Sequence, residues 1–294
     1  MNLEDFDFES DCKPNRSILS IVTCSALISF FHCRLEAKVA LVTDGASGLG
    51  RSCAKLFSQH GAKVVIADIQ DELGHSVCKE LGPSSASFIH CDVTNESDVE
   101  NAVNGAVARH GKLDIMLINA GIIGSPTVNI LANDRGDFQQ VLNVNVIGPF
   151  LGTKHAARVM ILANGGGSII NMASICSIIG GATPHAYTSS KHAVLGLTRN
   201  TAVELGRFGI RVNCISPYAV ATPQSRKFLK LEEDAAIVDA YSNLKGVALK
   251  PEDVAEAALY LGSEDSSYVS GHNLVLDGAF TVLNQGFCMF DQSS

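Results

Sequence analysis

The sequence has no block of lysine or arginine, no cysteine pair spaced C-x-x-C, no internal repeat and no low-complexity tract. Phosphate backbones are held by clustered positive charge. Here 30 acidic residues outnumber 22 basic ones, for a formal net charge of −8, which excludes DNA or RNA as the main partner. The 9 cysteines (12, 24, 33, 53, 78, 91, 176, 214 and 288) are odd in number and widely spaced. That spacing excludes a disulfide scaffold and a structural zinc site, so the chain reads as a cytoplasmic protein with reduced thiols and no metal. Charge is scarce too, at 18% of residues against 46% hydrophobic, a balance that excludes disorder over most of the 294 residues. A chain of this length buries about three quarters of the surface exposed when unfolded and needs no covalent staple.

Residues 1–34 differ from the rest. Glu4, Asp5, Asp7, Glu9 and Asp11 against Lys13 and Arg16 make the start acidic, and an apolar run, ILSIVTCSALISFF, follows from Ile18 to Phe31. Fourteen helical residues reach about 21 Å, short of the roughly 30 Å hydrocarbon core of a bilayer. The basic start of a secretory signal and the acid-poor composition of a transit peptide are also missing. The segment reads as a poorly ordered extension whose apolar part packs on the body; membrane contact by residues 18–31 is the alternative.

From Lys38 onward, short β-branched runs alternate with longer helical patterns, the layout of a parallel sheet covered by helices on both faces. KVALVT (38–43), KVVIAD (63–68), SFIHCD (87–92), LDIMLIN (113–119), SIINMAS (168–174), IRVNCIS (210–216) and NLVLDG (273–278) read as strands. The fold expected over residues 35–294 is therefore α/β: a single-domain, Rossmann-like, doubly wound parallel sheet of seven strands. The longest helices are expected over 134–163 and 185–208.

Immediately after the first strand comes TDGASGLG, with Gly45, Gly48 and Gly50 leading into a helix expected to start near Arg51. Glycines there let backbone amides approach a pyrophosphate at the positive end of a helix. The second strand ends in Asp68, whose carboxylate can accept hydrogen bonds from ribose hydroxyls and repel a 2′-phosphate, favouring NAD over NADP. The same residue could instead cap the following helix. Further on, Tyr187 and Lys191 lie four apart in a helical stretch and share one face, either as a solvated pair or as chemistry. Bringing a phenol from a pKa of about 10 to about 7 takes roughly 4 kcal/mol of phenolate stabilisation, and a lysine ammonium one turn away is a source for it. Ser174, closing the fifth strand, could hydrogen-bond a substrate oxygen. Asn145, inside a helix, is by itself as readily a satisfied core amide as a functional one.

Taken in order, TDGASGLG, Asp68, CDVT (91–94), INAG (118–121), Asn145, Ser174, Y-T-S-S-K (187–191) and SPYAVATP (216–223) resemble the motif series of the short-chain dehydrogenase/reductases, over about residues 35–280. HAARVMI, KHAVLGLT, ELGRFGIRVNC and YVSGHNLVLDG are similar to the plant branch that contains secoisolariciresinol dehydrogenase, momilactone A synthase, zerumbone synthase and borneol dehydrogenases. The resemblance implies an NAD-dependent oxidoreductase that oxidises a secondary alcohol of a hydrophobic cyclic compound to a ketone, working as a homotetramer. It implies that Tyr187 is the base, that Lys191 lowers its pKa and holds the nicotinamide ribose, that Ser174 orients the substrate oxygen, and that Asn145 holds a water behind Lys191. For the cofactor it implies Gly45, Ser47, Gly48, Leu49 and Gly50 at the pyrophosphate and Asp68 and Ile69 at the ribose. Asp92 and Val93 would meet the adenine, Asn119, Ala120 and Gly121 would line the cleft, and Pro217, Val220 and Thr222 would meet the carboxamide.

Three residues depart from that pattern. Asp44 stands where the family's turn has glycine; a carboxylate about 6 Å from a pyrophosphate charge would repel it by roughly 3 kcal/mol at an effective dielectric of about 20. A catalytically weakened or non-catalytic binding or scaffold protein of the same fold, owing to Asp44, is thus the alternative function. Ile118 replaces an asparagine and is expected to lose a hydrogen bond between strands. Tyr218 replaces the glycine after Pro217. Substrate is expected between the loop 175–184 and an insertion over 218–249, both rich in apolar side chains: Ile175, Ile178 and Ile179 in one, Phe228, Leu229, Ile237, Val238 and Tyr241 in the other. These residues suit a terpenoid, lignan or steroid-like alcohol, or else build core and interface.

Overall fold

A computed structural model describes residues 33–127, 129–223, 225–226, 244 and 246–282. The apolar run 18–31 lies outside the described residues, as do Phe228, Leu229, Ile237, Val238 and Tyr241 of the expected insertion. The chain divides into Met1–Cys33 and Arg34–Ser294.

All seven expected strands form, as β1 (Val39–Thr43), β2 (Lys63–Asp68), β3 (Ala86–His90), β4 (Ile115–Ile118), β5 (Gly167–Met172), β6 (Ile210–Pro217) and β7 (Asn273–Leu276). They make one sheet in the order β3-β2-β1-β4-β5-β6-β7, every pairing parallel. The order reverses direction between β1 and β4, and ligands of doubly wound sheets bind at the carboxyl ends of the strands at such a switch point.

Successive strand residues point to opposite faces, and each face has its own core. Ala40, Val42, Val64, Ile66, Ile115, Leu117, Ile170 and Ile215 pack on one side. Their partners there are α1 (Gly48–Gln59), through Cys53, Ala54 and Phe57, and α7 (Pro251–Gly262), through Val254, Ala258 and Leu261. Leu41, Val65, Met116, Ile118, Ile169 and Val212 pack on the other side. That side is covered by α3 (Glu96–His110) and α5 (Gly148–Ala163), and α6 (His185–Leu205) adds Ala202 and Leu205. Between β2 and β3 runs α2 (Asp71–Leu81).

Two helix expectations need correction. The first helix starts at Gly48, a turn's width before Arg51, so the glycines belong to the helix end itself. The segment 134–163 is not one α-helix: α4 (Arg135–Leu142) runs into a wider π turn over Asn143–Ile147 before α5 resumes. Pro149 lacks the N–H that a regular α-helix would send to the Asn145 carbonyl, and the chain widens so that Gly148 N bonds Asn143 O instead.

Candidate active site

The sheet's carboxyl edge is fastened first. Thr43 Oγ1, at the end of β1, accepts hydrogen bonds from Asn119 N (2.9 Å) and Ala120 N (3.1 Å), joining the ends of β1 and β4 across the switch point. The chain then turns through Asp44 at φ +51° and Gly48 at φ +52°. A Cβ on Gly50 would collide with the Asp44 carbonyl, which explains why that position is glycine. No side chain caps α1, so its first amides, at Gly48 and Leu49, face a cavity of about 620 Å³ that Ser47 also lines. An uncapped helix end with a close-approach glycine and a cavity in front fits a dinucleotide's pyrophosphate.

Asp68 braces this turn from β2. One oxygen accepts from Ala46 N at 3.0 Å, the other from Gln70 N at 3.0 Å and Gln70 Nε2 at 3.2 Å. The carboxylate therefore ties the glycine-rich turn to Gln70, the residue before α2, without capping that helix. Asp44 lies against it. Burial first, then the charge of Asp68 and a hydrogen bond to it, raise the Asp44 pKa from 3.8 to about 8. The expectation of a charged turn is corrected accordingly: at neutral pH this carboxyl keeps its proton.

Across the cleft, Ser174, Tyr187 and Lys191 converge on the same cavity, as do Asn119, Gly121, Pro217, Val220 and Thr222. The Tyr187 hydroxyl is hydrogen-bonded to Ser174, and Ser174 Oγ also accepts from Cys176 N at 3.2 Å. Lys191 Nζ donates to Met172 O at 2.9 Å and lies 5.4 Å from the centroid of the Tyr187 ring. Burial lowers the Lys191 pKa to about 8. Burial also pushes the Tyr187 phenol upward, with Cys176 adding to the rise and Ser174 opposing it. The expected lowering of the phenol by Lys191 is thus not displayed by these side chains alone: the ammonium is engaged at a backbone carbonyl and lies over the ring, and desolvation of the phenolate prevails.

Asn145 is fully buried at the centre of the π turn. Its Oδ1 accepts from Ile122 N and its Nδ2 donates to Ile122 O, both at 2.8 Å, with a further bond to Ser190 Oγ at 3.0 Å. It joins the loop after β4 to α6 one residue from Lys191, and its side chain lines no part of the cavity.

Other expected cofactor residues also stand outside the cavity wall. Gly45 and Ala120 are not among the residues that line the cavity, and Ile69 is exposed beyond the end of β2. Asp92 and Val93 follow β3, where the Asp92 carboxylate is occupied by Thr94 N and Oγ1. Ile118 is buried in the core against Gly152. The wall includes residues the motifs did not single out: Ile123, Cys176, Thr183 and Phe280. Phe280 stacks on Tyr218 with ring centroids 4.8 Å apart; the tyrosine in place of glycine was its one sequence signal.

Among the described residues no cluster suited to a metal ion is present, and no helix is long and apolar enough to cross a membrane. A family model described as enoyl-(acyl carrier protein) reductase matches residues 45–281. The chain is 60% identical over 258 residues to a mitochondrial borneol dehydrogenase of Lavandula x intermedia, covering 88% of this chain and 96% of that one. It is 57% identical over 260 residues to a secoisolariciresinol dehydrogenase of Forsythia intermedia, covering 87% and 94%. Among solved structures, the 3-ketoacyl-(acyl-carrier-protein) reductase of Brucella melitensis complexed with NADH superposes with a TM-score of 0.77 at 34% identity, covering 84% of this chain and 99% of that one. With its switch-point cleft, glycine turn and Ser174, Tyr187 and Lys191 on one cavity, the chain belongs to the short-chain dehydrogenase/reductase family and is an oxidoreductase.

Proposed function

We propose that this enzyme oxidises a secondary alcohol on a hydrophobic ring system to the ketone, with NAD as cofactor and Tyr187 as general base. The observation that carries the reading is the convergence of Ser174, Tyr187 and Lys191 on one cavity with the open end of α1. A nicotinamide held there supplies the hydride acceptor. Ser174 orients the substrate hydroxyl and stabilises the Tyr187 phenolate through the hydrogen bond they already share. Tyr187 removes the hydroxyl proton. Lys191 holds the ribose, and its ammonium, together with the positive charge of an oxidised nicotinamide, offsets the burial that otherwise raises the phenol. Asn145 ties the loop after β4 to the turn of α6 that carries Lys191, through Ile122 and Ser190. Asp68, at the end of β2, favours NAD over NADP because its charge opposes a 2′-phosphate.

The apolar lining, Ile123, Ile175, Tyr218 and Phe280, supports a terpenoid, lignan or steroid-like alcohol, with residues 218–249 as the substrate loop. The relatives named for borneol and secoisolariciresinol support the same class. The relatives named as dehydrogenases speak against the scaffold alternative that rested on Asp44. Exposed Ile147, Phe150, Leu162 and Val203 on the two longest helical segments support assembly as a homotetramer. The test follows absorbance at 340 nm with borneol, lignan and steroid alcohols, NAD and NADP side by side. Tyr187→Phe is expected to lose turnover and keep NADH affinity; equal turnover in that variant removes the proposed base.

A further inference from the structure

After β7 the chain makes a tight turn whose construction is disproportionate to a surface loop. Gly278 and Ala279 both adopt left-handed backbone, at φ +56° and +69°. For alanine that conformation is unfavourable and persists only where neighbouring bonds impose it. Asp277 imposes it: one carboxylate oxygen accepts from Ala279 N at 2.9 Å, the other from Thr281 N at 2.7 Å and Thr281 Oγ1 at 2.6 Å. Phe280 N donates to Asp277 O at 3.1 Å. What the turn delivers is the Phe280 ring, set against Tyr218 at 4.8 Å with a 38° tilt. Tyr218 is fixed from below, its N donating to Leu276 O at 2.8 Å as an extension of the β6–β7 pairing. Both rings line the cavity that holds Ser174 and Tyr187.

We infer that the Tyr218–Phe280 pair is the specificity-determining wall of the substrate cavity, ranking ring skeletons by their size and shape, with Asp277 as the residue that positions it. This rests on the proposed alcohol oxidation. Aromatic rings present a flat apolar face to an alicyclic skeleton at low entropic cost, since each has only two side-chain torsions. Their stacking also means that neither can yield without the other. Enzyme pockets discriminate a missing or extra methylene by 10- to 200-fold, so removing a ring from the wall changes the ranking of substrates rather than the chemistry.

The experiment measures kcat/KM for borneol and for a steroid alcohol in the wild type, Phe280→Ala and Phe280→Leu, with NADH affinity as the check that each variant folds. Phe280→Ala is expected to raise the steroid-to-borneol ratio at least tenfold, Phe280→Leu to lie between, and NADH affinity to stay within twofold. Asp277→Ala is expected to move the ratio in the same direction, and Asp277→Asn, which has an acceptor oxygen for only one of the two sides, to lie between it and the wild type. An unchanged ratio with measurable turnover overturns the inference. A second readout stands apart from turnover: the chain has no tryptophan, so Phe280→Trp puts a single indole on the wall. Its emission is expected to change saturably with borneol in the presence of NAD. A wild type that oxidises none of the alcohols, combined with an indole that still responds, refutes the alcohol oxidation and leaves the wall standing; an indole that does not respond overturns the wall.

Discussion

Replacing Asp44 by asparagine keeps the shape of the turn and removes one titration. The unfolded chain releases the Asp44 proton near pH 3.8, whereas the folded chain holds it to about 8. Between those values the folded state binds one more proton, so the stability this group contributes is complete below pH 3.8 and is lost as pH rises through about 8. At 1.36 kcal/mol per pH unit the whole window amounts to on the order of 5 kcal/mol, less where the open cleft hydrates the carboxylate. Over pH 6 to 8 alone, wild type is expected to lose roughly 2 kcal/mol relative to Asp44→Asn, or about 5 °C in Tm for a domain of this size. Thermal unfolding of both proteins at pH 6, 7, 8 and 9, at fixed ionic strength, measures it. NADH titrations by fluorescence give the companion result: wild type weakens above pH 8, as an ionised Asp44 faces the dinucleotide, while Asp44→Asn and Asp44→Gly do not. Parallel Tm curves with parallel affinities would refute the reasoning, since they would mean that the carboxyl is already ionised at neutral pH.

Gly50→Ala is expected to displace the Asp44 carbonyl and lower NADH affinity by at least tenfold, while the far-UV circular dichroism stays that of the wild type. Asn145→Ala strips Ile122 N, Ile122 O and Ser190 Oγ of a partner in a buried region; a loss of about 2–4 kcal/mol in urea unfolding is expected, with kcat falling more than NADH affinity. Urea midpoints within error of the wild type would show that the amide is not needed to hold that loop.

The sheet was legible because its strands are short apolar β-branched runs, separated by longer helical patterns. The positions of Ser174, Tyr187 and Lys191 were legible because one strand end and one helix face suffice to bring them together. What escaped depends on neighbours distant in sequence. The π turn follows an unbroken helical pattern, and only Pro149, read with the buried Asn145, betrays it. The raised pKa of Asp44 comes from its burial first and from Asp68 on another strand second, and neither is written in the turn's own sequence. The Tyr187 phenol was expected to fall, and its burial raises it. Phe280 enters the wall by way of a left-handed alanine, which no periodicity announces. Thr43, the hydroxyl that ties β1 to β4, looked like the last residue of an ordinary strand.

Because neighbouring residues of every strand feed separate cores, adding or deleting one residue within a strand would send each later side chain to the opposite layer. Strand lengths are therefore frozen, while the segments beyond the carboxyl edge carry no such parity. New pockets can be tried there, after β5, β6 and β7, without moving the hydroxyls and ammonium that handle the proton. A scaffold built this way lets descendants change what they act on while keeping how they act.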